Sequence, residues 1–448
     1  MRRPRVVILG AGISGLAAAW FLKKKFNDTI DLTILEQSAS PGGYIQTIKK
    51  EGFLFETGPH SLRVGKNNLL LTQLLQELSL ESEILPASSF AKQRYLWRHH
   101  TLKELPTTIS AALLSSFTRP FVWQFLKEIR LPSEKQEDDE SISAFFSRRF
   151  SQEFAECLVD PLFTGIYAGD IGQLSFQACL PALHRWEKIN GSLLMGLIKN
   201  RTTFGNRLIS FRNGMQTLPN TLAKQLSSHL HLSTQAKLLF SPANSSTAVA
   251  CANGKTFHAD TLIVTTPFPV FATLIQTDAF DLAEEMRTIP YASVAVVNLG
   301  FRQPVLKLSG FGYLIPSQEN EEILGCIWDS SVFPQQNLFS EETRLTVLIG
   351  GVHRAALLAN GSSSLVAIAK NALMRHLNID QPPDAIHVSI AKQAIPQYIV
   401  GHKQKMEKIQ QALAEKFPSI RYLGNAACGV SVIDCIESAA SLIERMEL

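Results

Sequence analysis

What is scarce in this sequence is informative. Its six cysteines (Cys157, Cys179, Cys251, Cys326, Cys428 and Cys435) form no CxxC pair, and no Cys/His cluster has zinc spacing. Neither a disulfide framework nor a metal site is therefore written into the chain. Each cysteine reads as a small buried hydrophobe, a usage suited to a reducing, cytoplasmic setting. Charge is sparse and nearly balanced: 18% of the 448 residues are charged, and the net charge is +4. No basic run carries interleaved aromatics, which argues against nucleic acid as a partner. Beyond the N-terminus no stretch reaches about 18 uninterrupted apolar residues, the length a membrane-crossing helix needs. There is no internal repeat. Against these absences, 45% of residues are hydrophobic, enough for a sizeable core. At roughly 100–200 residues per domain, the length suggests two or three domains.

The N-terminus invites a misreading. Arg2, Arg3 and Arg5 precede the apolar stretch Val6 to Leu22, as in a secretory signal. The glycines inside that stretch point to a strand, a turn and a helix instead. Residues 5–9 (RVVIL) are a β-branched run of the kind found in buried parallel strands. Gly10 to Gly15 form the turn, Leu16 to Lys25 a helix, and residues 30–35 a second strand ending at Glu36. This is a βαβ opening.

Gly10-x-Gly12-x-x-Gly15 sits between strand and helix. The first glycine permits a tight turn, the second lets the backbone approach a pyrophosphate, and the third lets helix and strand pack closely. The helix N-terminus offers free N–H groups to phosphates. Glu36, 21 residues after Gly15, is placed to accept hydrogen bonds from ribose hydroxyls. The site is therefore expected to bind a dinucleotide. Pro41-Gly42-Gly43, Thr47 and Phe55-Glu56-x-Gly58-Pro59 follow. A second glycine pair lets backbone lie along a long bent cofactor, which favours FAD over NAD. Near the C-terminus, Gly424-Asn425 ends a strand and Gly429-Val430-Ser431-Val432 opens the last helix. Its positive end would stabilise negative charge on a reduced flavin. Asp434 is either the cap of that helix or part of its first turn.

Elsewhere, residues 68–80 have helical spacing, and 105–204 are mainly helical with a charged break at 133–141. From 229 the pattern turns to strands. Residues 247–252 and 255–258 flank Asn253-Gly254, a hairpin signal. Residues 260–266 form a buried strand stopped by Pro267, and 291–301, 311–316, 323–328 and 344–351 read as a sheet. The expected fold is α/β. A Rossmann-type FAD-binding domain is assembled from residues 1–85, 205–275 and 390–448. A helical insertion spans 86–204, and a β-rich substrate domain spans 276–389.

Seven segments then carry a family resemblance: PLFTGIYAGDIGQL at 161–174, Gly191-Ser192-Leu193, FRNGMQTL at 211–218, GFGYLIP at 310–316, GCIWDSSVFP at 325–334, IPQYIVGH at 395–402 and GNAACGVSVIDC at 424–435. In these the chain resembles the protoporphyrinogen oxidase and coproporphyrinogen III oxidase family, within the wider flavin amine oxidase superfamily, over nearly its whole length. The resemblance implies noncovalent FAD and oxidation of a porphyrinogen in haem biosynthesis. Oxygen or another electron acceptor would reoxidise the flavin, with hydrogen peroxide as the product from oxygen. FAD contacts would fall on Gly10, Ala11, Gly12, Ile13, Ser14, Gly15, Glu36, Gln37, Gly42, Gly43, Tyr44, Gly58, Pro59, His60, Ser61, Val430, Ser431 and Val432, with a backbone contact near Ala236. Tyr44 stands where some members have tryptophan, and His60 and Ser61 also depart from some members.

For the substrate, the resemblance implies that Arg94 pairs with a propionate and that Gly169, Phe311, Leu314, Phe333 and Leu348 line an apolar slot. By periodicity alone these five read as core. No catalytic base is expected, because pyrrole N–H groups lose protons by tautomerisation. His402 reads as a structural hydrogen bond.

Several matters stay open at this level. Protoporphyrinogen and coproporphyrinogen are not distinguished. The 105–130 stretch, with Leu113, Leu114, Phe117, Phe121, Trp123 and Phe125, either rests peripherally on a membrane's inner face or covers the substrate pocket. Pairing into a homodimer is unread. An amine oxidase would want an aromatic pair at the flavin, and of tyrosines and tryptophans only Tyr398 and Tyr422 remain after Trp328. A carotenoid desaturase should lack the GIYAGD and NGM segments. A nucleotide-binding scaffold without redox activity is the remote alternative.

Overall fold

A computed structural model describes residues 2–65, 68–129, 131, 139–199, 207–240 and 247–447. The run Arg5–Leu9 is the middle strand of a five-stranded sheet, in the order Leu230–His231, Asp31–Leu35, Arg5–Leu9, Thr261–Val264, Ile420–Tyr422. Every pairing in it is parallel. Helices cover both faces, which is why these strands are continuously apolar rather than alternating. On one face Ile13–Phe26 packs with the terminal helix Val432–Glu444, and Ala17, Ala18 and Ala19 are completely buried there. On the other lie Phe268–Ile275, Phe280–Arg287 and His402–Lys416. The sheet thus draws its strands from the start, middle and end of the chain, as expected. The hairpin at Asn253-Gly254 is present within a three-stranded antiparallel sheet.

The second large unit is a seven-stranded sheet, ordered Ala385–Pro396, Tyr291–Phe301, Thr343–Gly350, Ile323–Ile327, Gly312–Leu314, Arg94–Arg98, Thr101–Leu105. Two expected segment boundaries do not coincide with its strands. Residues 94–105, placed by sequence at the start of the helical insertion, form a hairpin on this sheet's edge. Its turn residues His99 and His100 both have positive φ (51° and 58°). A tight hairpin needs that conformation, and glycine or asparagine usually signals it. The strand Ala385–Pro396 likewise runs through the boundary drawn at 390.

The register of this sheet sorts its side chains. Leu345, Val347 and Ile349 pack in the core shared with the helix Gly361–Leu377. The alternate residues Arg344, Thr346 and Leu348 take the opposite face. Cross-strand pairing aligns Val296, Leu348, Gly325, Leu314 and Leu96 in one row of that face, and Asn298, Thr346 and Ile327 in the next. Arg94 lies two residues before Leu96, and so on the same face.

A helical layer contains Arg119–Glu128, Ile142–Arg149, Asp160–Tyr167, Pro181–Asn190 and Leu193–Lys199. Its core is aromatic, with Phe145 stacked on Phe176 at 3.5 Å. The 105–130 stretch divides its apolar residues: Phe121 is buried in this core, whereas Leu114 is 86% and Trp123 58% exposed. Of the charged break at 133–141, residues 133–138 lie outside the described residues. Among those described, no helix is long and apolar enough to cross a membrane.

The Gly191-Ser192-Leu193 segment has a structural explanation. Gly191, at φ 70°, ends one helix, and Ser192 begins the next. The fully buried Glu128 carboxylate accepts hydrogen bonds from Ser192 Oγ (2.6 Å) and the Leu193 N–H (2.8 Å). It also faces Arg149 at 3.4 Å. Glu128→Ala would leave a buried guanidinium short of a counter-charge and the Leu193 N–H at the helix start without its acceptor. A loss of about 3–5 kcal/mol is expected, read by urea unfolding through the fluorescence of Trp123 and Trp186 in this layer.

Candidate active site

The glycine loop lies at the C-terminal edge of the parallel sheet, where such sheets bind ligands. Gly10, at φ 107°, donates its N–H to the Leu35 carbonyl at 2.8 Å. A Cβ on Gly15 would sit 1.9 Å from the Gly10 carbonyl oxygen. Gly12 differs: a Cβ there would meet nothing nearer than Gly43 Cα at 4.0 Å. The first and third glycines are therefore demanded by the protein's own packing, and the second keeps space open toward the cleft. The helix Ile13–Phe26 begins without a side-chain cap, so its first N–H groups are available to an anion.

Glu36 is buried and braces the loop. One carboxylate oxygen accepts the Ala11 N–H and the other the Ser38 N–H, both at 2.8 Å. Each oxygen keeps a further lone pair for a ligand hydroxyl. The Gly42-Gly43 turn closes over this arrangement, with the Gly42 N–H donating to the Ala11 carbonyl at 2.8 Å.

The resulting cleft has a volume of about 490 Å³. Of the residues expected at the cofactor, Gly10, Gly12, Ile13, Ser14, Glu36, Gln37, Gly42, Gly43, Tyr44, Pro59, Ala236, Val430 and Val432 line it. Ala11, Gly15, Gly58, His60, Ser61 and Ser431 are not among its lining residues. Gly15 lies beneath the loop, and a Cβ on Gly58 would come within 1.9 Å of the Tyr44 carbonyl oxygen. Ser431 is the true cap of the terminal helix. Its Oγ accepts the Asp434 N–H at 3.1 Å, and Asp434 accepts the Ser431 N–H at 3.2 Å. Asp434 is thus the second half of a capping box.

Sequence reasoning missed Ser38, Thr234, Gln235, Thr265, Thr266, Lys392 and Asn425 as lining residues. Thr265 and Thr266 had a usable signal: small hydroxyl residues ending a buried parallel strand, just before a proline. Thr266 Oγ1 is buried with no partner among the described residues, an orphan that a ligand oxygen or nitrogen would satisfy. Together with the open space at Gly12 and the uncapped helix, it shows that the cleft fits a dinucleotide.

Beside Pro59 lies a buried polar cluster. Glu56 accepts hydrogen bonds from the Met215 N–H (2.7 Å) and Thr47 Oγ1 (2.8 Å). This explains the NGM segment. Gly214, at φ 86°, leaves the room that a Cβ, 2.3 Å from Thr47 and 2.7 Å from Glu56, would take. Burial raises the Glu56 carboxyl from 4.5 to about 7. His60 Nδ1 lies 2.7 Å from Asp329 Oδ1. Burial disfavours the His60 charge, but Asp329 outweighs it and the net shift is upward. Burial likewise pushes the Asp329 carboxyl up, and the His60 charge and hydrogen bond outweigh it, so the group stays below its ordinary range.

On the sheet face beyond, the guanidinium of Arg94 sits over the Phe311 ring at 5.2 Å. Burial and the nearby Arg63 both lower its pKa, and no carboxylate among the described residues pairs with it. Phe311 and Phe333 share an apolar cluster with Leu85 and Val332. Leu348 packs instead with Ala168 and Leu324, and Leu314 lies against Gly165, where a Cβ would be 2.9 Å away. Gly169 has no room for a side chain beside Gln397, whose Oε1 would lie 2.4 Å from a Cβ. Of the six expected substrate residues, Arg94, Phe311 and Phe333 thus gather in one group, Leu314, Leu348 and Gly169 each have other neighbours, and none lines the nucleotide cleft.

The aromatic pair an amine oxidase would need is absent from the lining. Tyr398 is stacked on His402 at 4.1 Å, and Tyr422 on Phe268 at 4.2 Å. His402 makes a structural hydrogen bond to the Ala426 carbonyl at 2.8 Å. The Tyr398 hydroxyl bonds the Asn425 carbonyl and accepts the Gly429 N–H. These two residues hold the turn that precedes the terminal helix.

The fold and cleft define a flavin-dependent oxidoreductase, and FAD is its cofactor. The profile of the flavin-containing amine oxidoreductases matches residues 13–441, and the chain belongs to that family. It is 33% identical to protoporphyrinogen oxidase of Bos taurus, over 98% of both chains. It is 29% identical to coproporphyrinogen III oxidase of Bacillus subtilis, over 98% of this chain and 97% of the relative. A solved structure from Exiguobacterium sp. 255-15, provisionally named a protoporphyrinogen oxidase, superposes with a TM-score of 0.86 at 25% identity, covering 99% of this chain and 98% of that one.

Two outcomes follow from this geometry. Gly15→Ala forces the helix away from Gly10, and the flavin absorbance retained on purification is expected to fall at least about tenfold. Glu56 makes stability depend on pH. Its folded pKa is raised, so its contribution is present below about pH 4.5, declines as pH rises, and is gone above about pH 7. The loss amounts to about 3 kcal/mol. Glu56→Gln should flatten the fall in Tm between about pH 4.5 and 7. His60, with its raised pKa, acts in the same direction and preserves part of that fall.

Proposed function

We propose that this chain oxidises a porphyrinogen to the corresponding porphyrin in haem biosynthesis, using noncovalent FAD. The carrying observation is Arg94: a half-buried guanidinium seated on Phe311, with no carboxylate partner among the described residues, at the edge of an apolar sheet face. Such a cation costs stability unless a ligand anion completes it. A flat apolar macrocycle bearing propionates supplies both the anion and the surface. The relatives named for protoporphyrinogen and for coproporphyrinogen support the class, since both substrates carry propionates.

The labour divides along the sheets. The five-stranded unit would hold FAD through Gly10, Gly12, Ile13, Ser14, Gly42 and Gly43 at the phosphates and Glu36 at a ribose. With Val430 and Val432 lining the same cleft, the start of the terminal helix would stabilise negative charge on the reduced cofactor. When bound, FAD supplies the two-electron acceptor for each of three oxidation steps. The seven-stranded unit presents Arg94, Phe311, Leu314, Phe333 and Leu348 to the macrocycle, with Gly169 at its margin. Their task is placement, since a reacting carbon must be held close to its acceptor. No side chain is assigned as a base, because the pyrrole nitrogens release their own protons. Oxygen as final acceptor, with hydrogen peroxide as product, belongs to this reading. So does peripheral contact with a membrane through Leu114 and Trp123, both exposed on the helical layer.

Anaerobic mixing with protoporphyrinogen and, separately, coproporphyrinogen tests the assignment. One of them should bleach the flavin band, and air should then restore it with porphyrin fluorescence. Flavin that neither substrate bleaches removes the porphyrinogen reading. Arg94→Ala is expected to raise KM about ten- to hundredfold, with kcat changed much less, in steady-state assays of the preferred substrate.

A further inference from the structure

The loop that leaves the cleft at Pro59 is fastened at both ends to one polar row of the seven-stranded sheet. At its far end His60, with a side chain only 10% exposed, contacts Asp329 at 2.7 Å. Asp329 opens the short helix Asp329–Val332, directly before Phe333. Its second oxygen accepts Thr346 Oγ1 at 2.7 Å, and the same hydroxyl accepts Asn298 Nδ2 at 2.9 Å. Asn298 also donates to the backbone carbonyl of Glu56, at the loop's near end, at 2.9 Å. Thr346 and Asn298 are cross-strand partners.

The chain of bonds continues toward the cofactor. The Glu56 side chain is held by Thr47, and Thr47 is paired reciprocally with Gln216. Gln216 donates to Gln46 at 2.8 Å, which in turn holds the carbonyls of Pro41 and Gly43 at the cleft's glycine turn. A second tie runs beside the first: Arg344 bonds the Leu54 carbonyl at 3.1 Å and the Phe333 carbonyl at 3.0 Å. The charged groups facing one another here are Glu56, His60, Asp329, Arg344 and Glu342. Apolar residues of equal volume would usually be at least as stable as such a buried charged cluster. What directional bonds add is a single allowed arrangement of the parts they join.

We propose that His60, clamped by Asp329, is a positioning residue: it sets where the cofactor loop stands against the sheet that carries Leu348 and the short helix that precedes Phe333. The flavin is thereby held at a fixed distance and angle from the substrate face. The substrate half of this statement rests on the porphyrinogen reading, whereas the tie between His60 and the flavin does not.

The test uses the FAD-loaded full chain. Asp329→Asn keeps the shape and one acceptor but removes the charge opposite His60. The expected result is a kcat per bound flavin lowered about ten- to hundredfold with KM nearly unchanged. A pH-dependent change in the visible flavin spectrum should appear, displaced to lower pH than any seen in the parent, because without the Asp329 charge burial disfavours protonated His60. Thr346→Val should shift kcat the same way by a smaller factor, and Thr346→Ser should restore it. A purely structural pair predicts lower Tm with kcat, KM and spectrum unchanged per bound flavin, and that result overturns the proposal. Should Asp329→Asn not fold, the Thr346 pair decides, and equal kcat in valine and serine variants rejects it. If no porphyrinogen bleaches the parent, the substrate reading falls, and the spectral titration alone judges the link from His60 to the flavin.

Discussion

The structure depends on one close crossing of backbone at the C-terminal edge of the parallel sheet. Helix Ile13–Phe26 lies so near the strand before it that a methyl group on Gly15 would sit 1.9 Å from the Gly10 carbonyl oxygen. That approach lets Ala17, Ala18 and Ala19 bury completely and points the uncapped helix start into the cleft. Glu36 then bonds Ala11, and Ala11 bonds Gly42, so the second glycine turn takes its position from the first. The terminal helix packs on the same helix face, which brings the far end of the chain to the cofactor.

From that crossing outward, the molecule is organised by polar groups placed where apolar ones would be cheaper. Glu56, Asp329 and Arg344 are buried between the nucleotide-binding unit and the seven-stranded sheet, with the His60 side chain nearly so, and Glu128, Arg149 and Glu187 are buried inside the helical layer. Burial disfavours each charge; neighbouring charges and hydrogen bonds outweigh it at His60 and Asp329 and only partly offset it at Glu56 and Arg344. Such clusters specify geometry more than they add stability. Their positions agree with this: one fastens the loop beside the cleft, and the other starts the helix after Gly191. Arg94 is the exception, a half-buried cation with no carboxylate among the described residues, and it lies on the face read as the substrate side.

The legible parts of the sequence were those with local causes. The glycine loop, the strand at 5–9, the hairpin at Asn253-Gly254 and the break at Pro267 each follow from a few adjacent residues. The hairpin at 94–105 was not legible, because His99 and His100 adopt a conformation that histidine rarely announces. Thr265 and Thr266 carried a readable signal, hydroxyl side chains at the end of a buried strand, which the proline after them obscured. The tie between His60 and Asp329 had none, being made across 269 positions of chain.

By itself the sequence determined that a dinucleotide lies along a glycine turn, that FAD is favoured over NAD, and which family the chain resembles. These rest on short spacings that restrict backbone angles and approach distances directly. Only the tertiary structure decided which expected cofactor residues face the cleft and which brace it from behind, and that Arg94, Leu314 and Leu348 share one sheet face. It also decided that Glu56, His60 and Asp329 meet. The reason is physical: facing, register and burial depend on pairings between strands far apart in the chain, and a carboxylate's pKa depends on neighbours that only packing brings near.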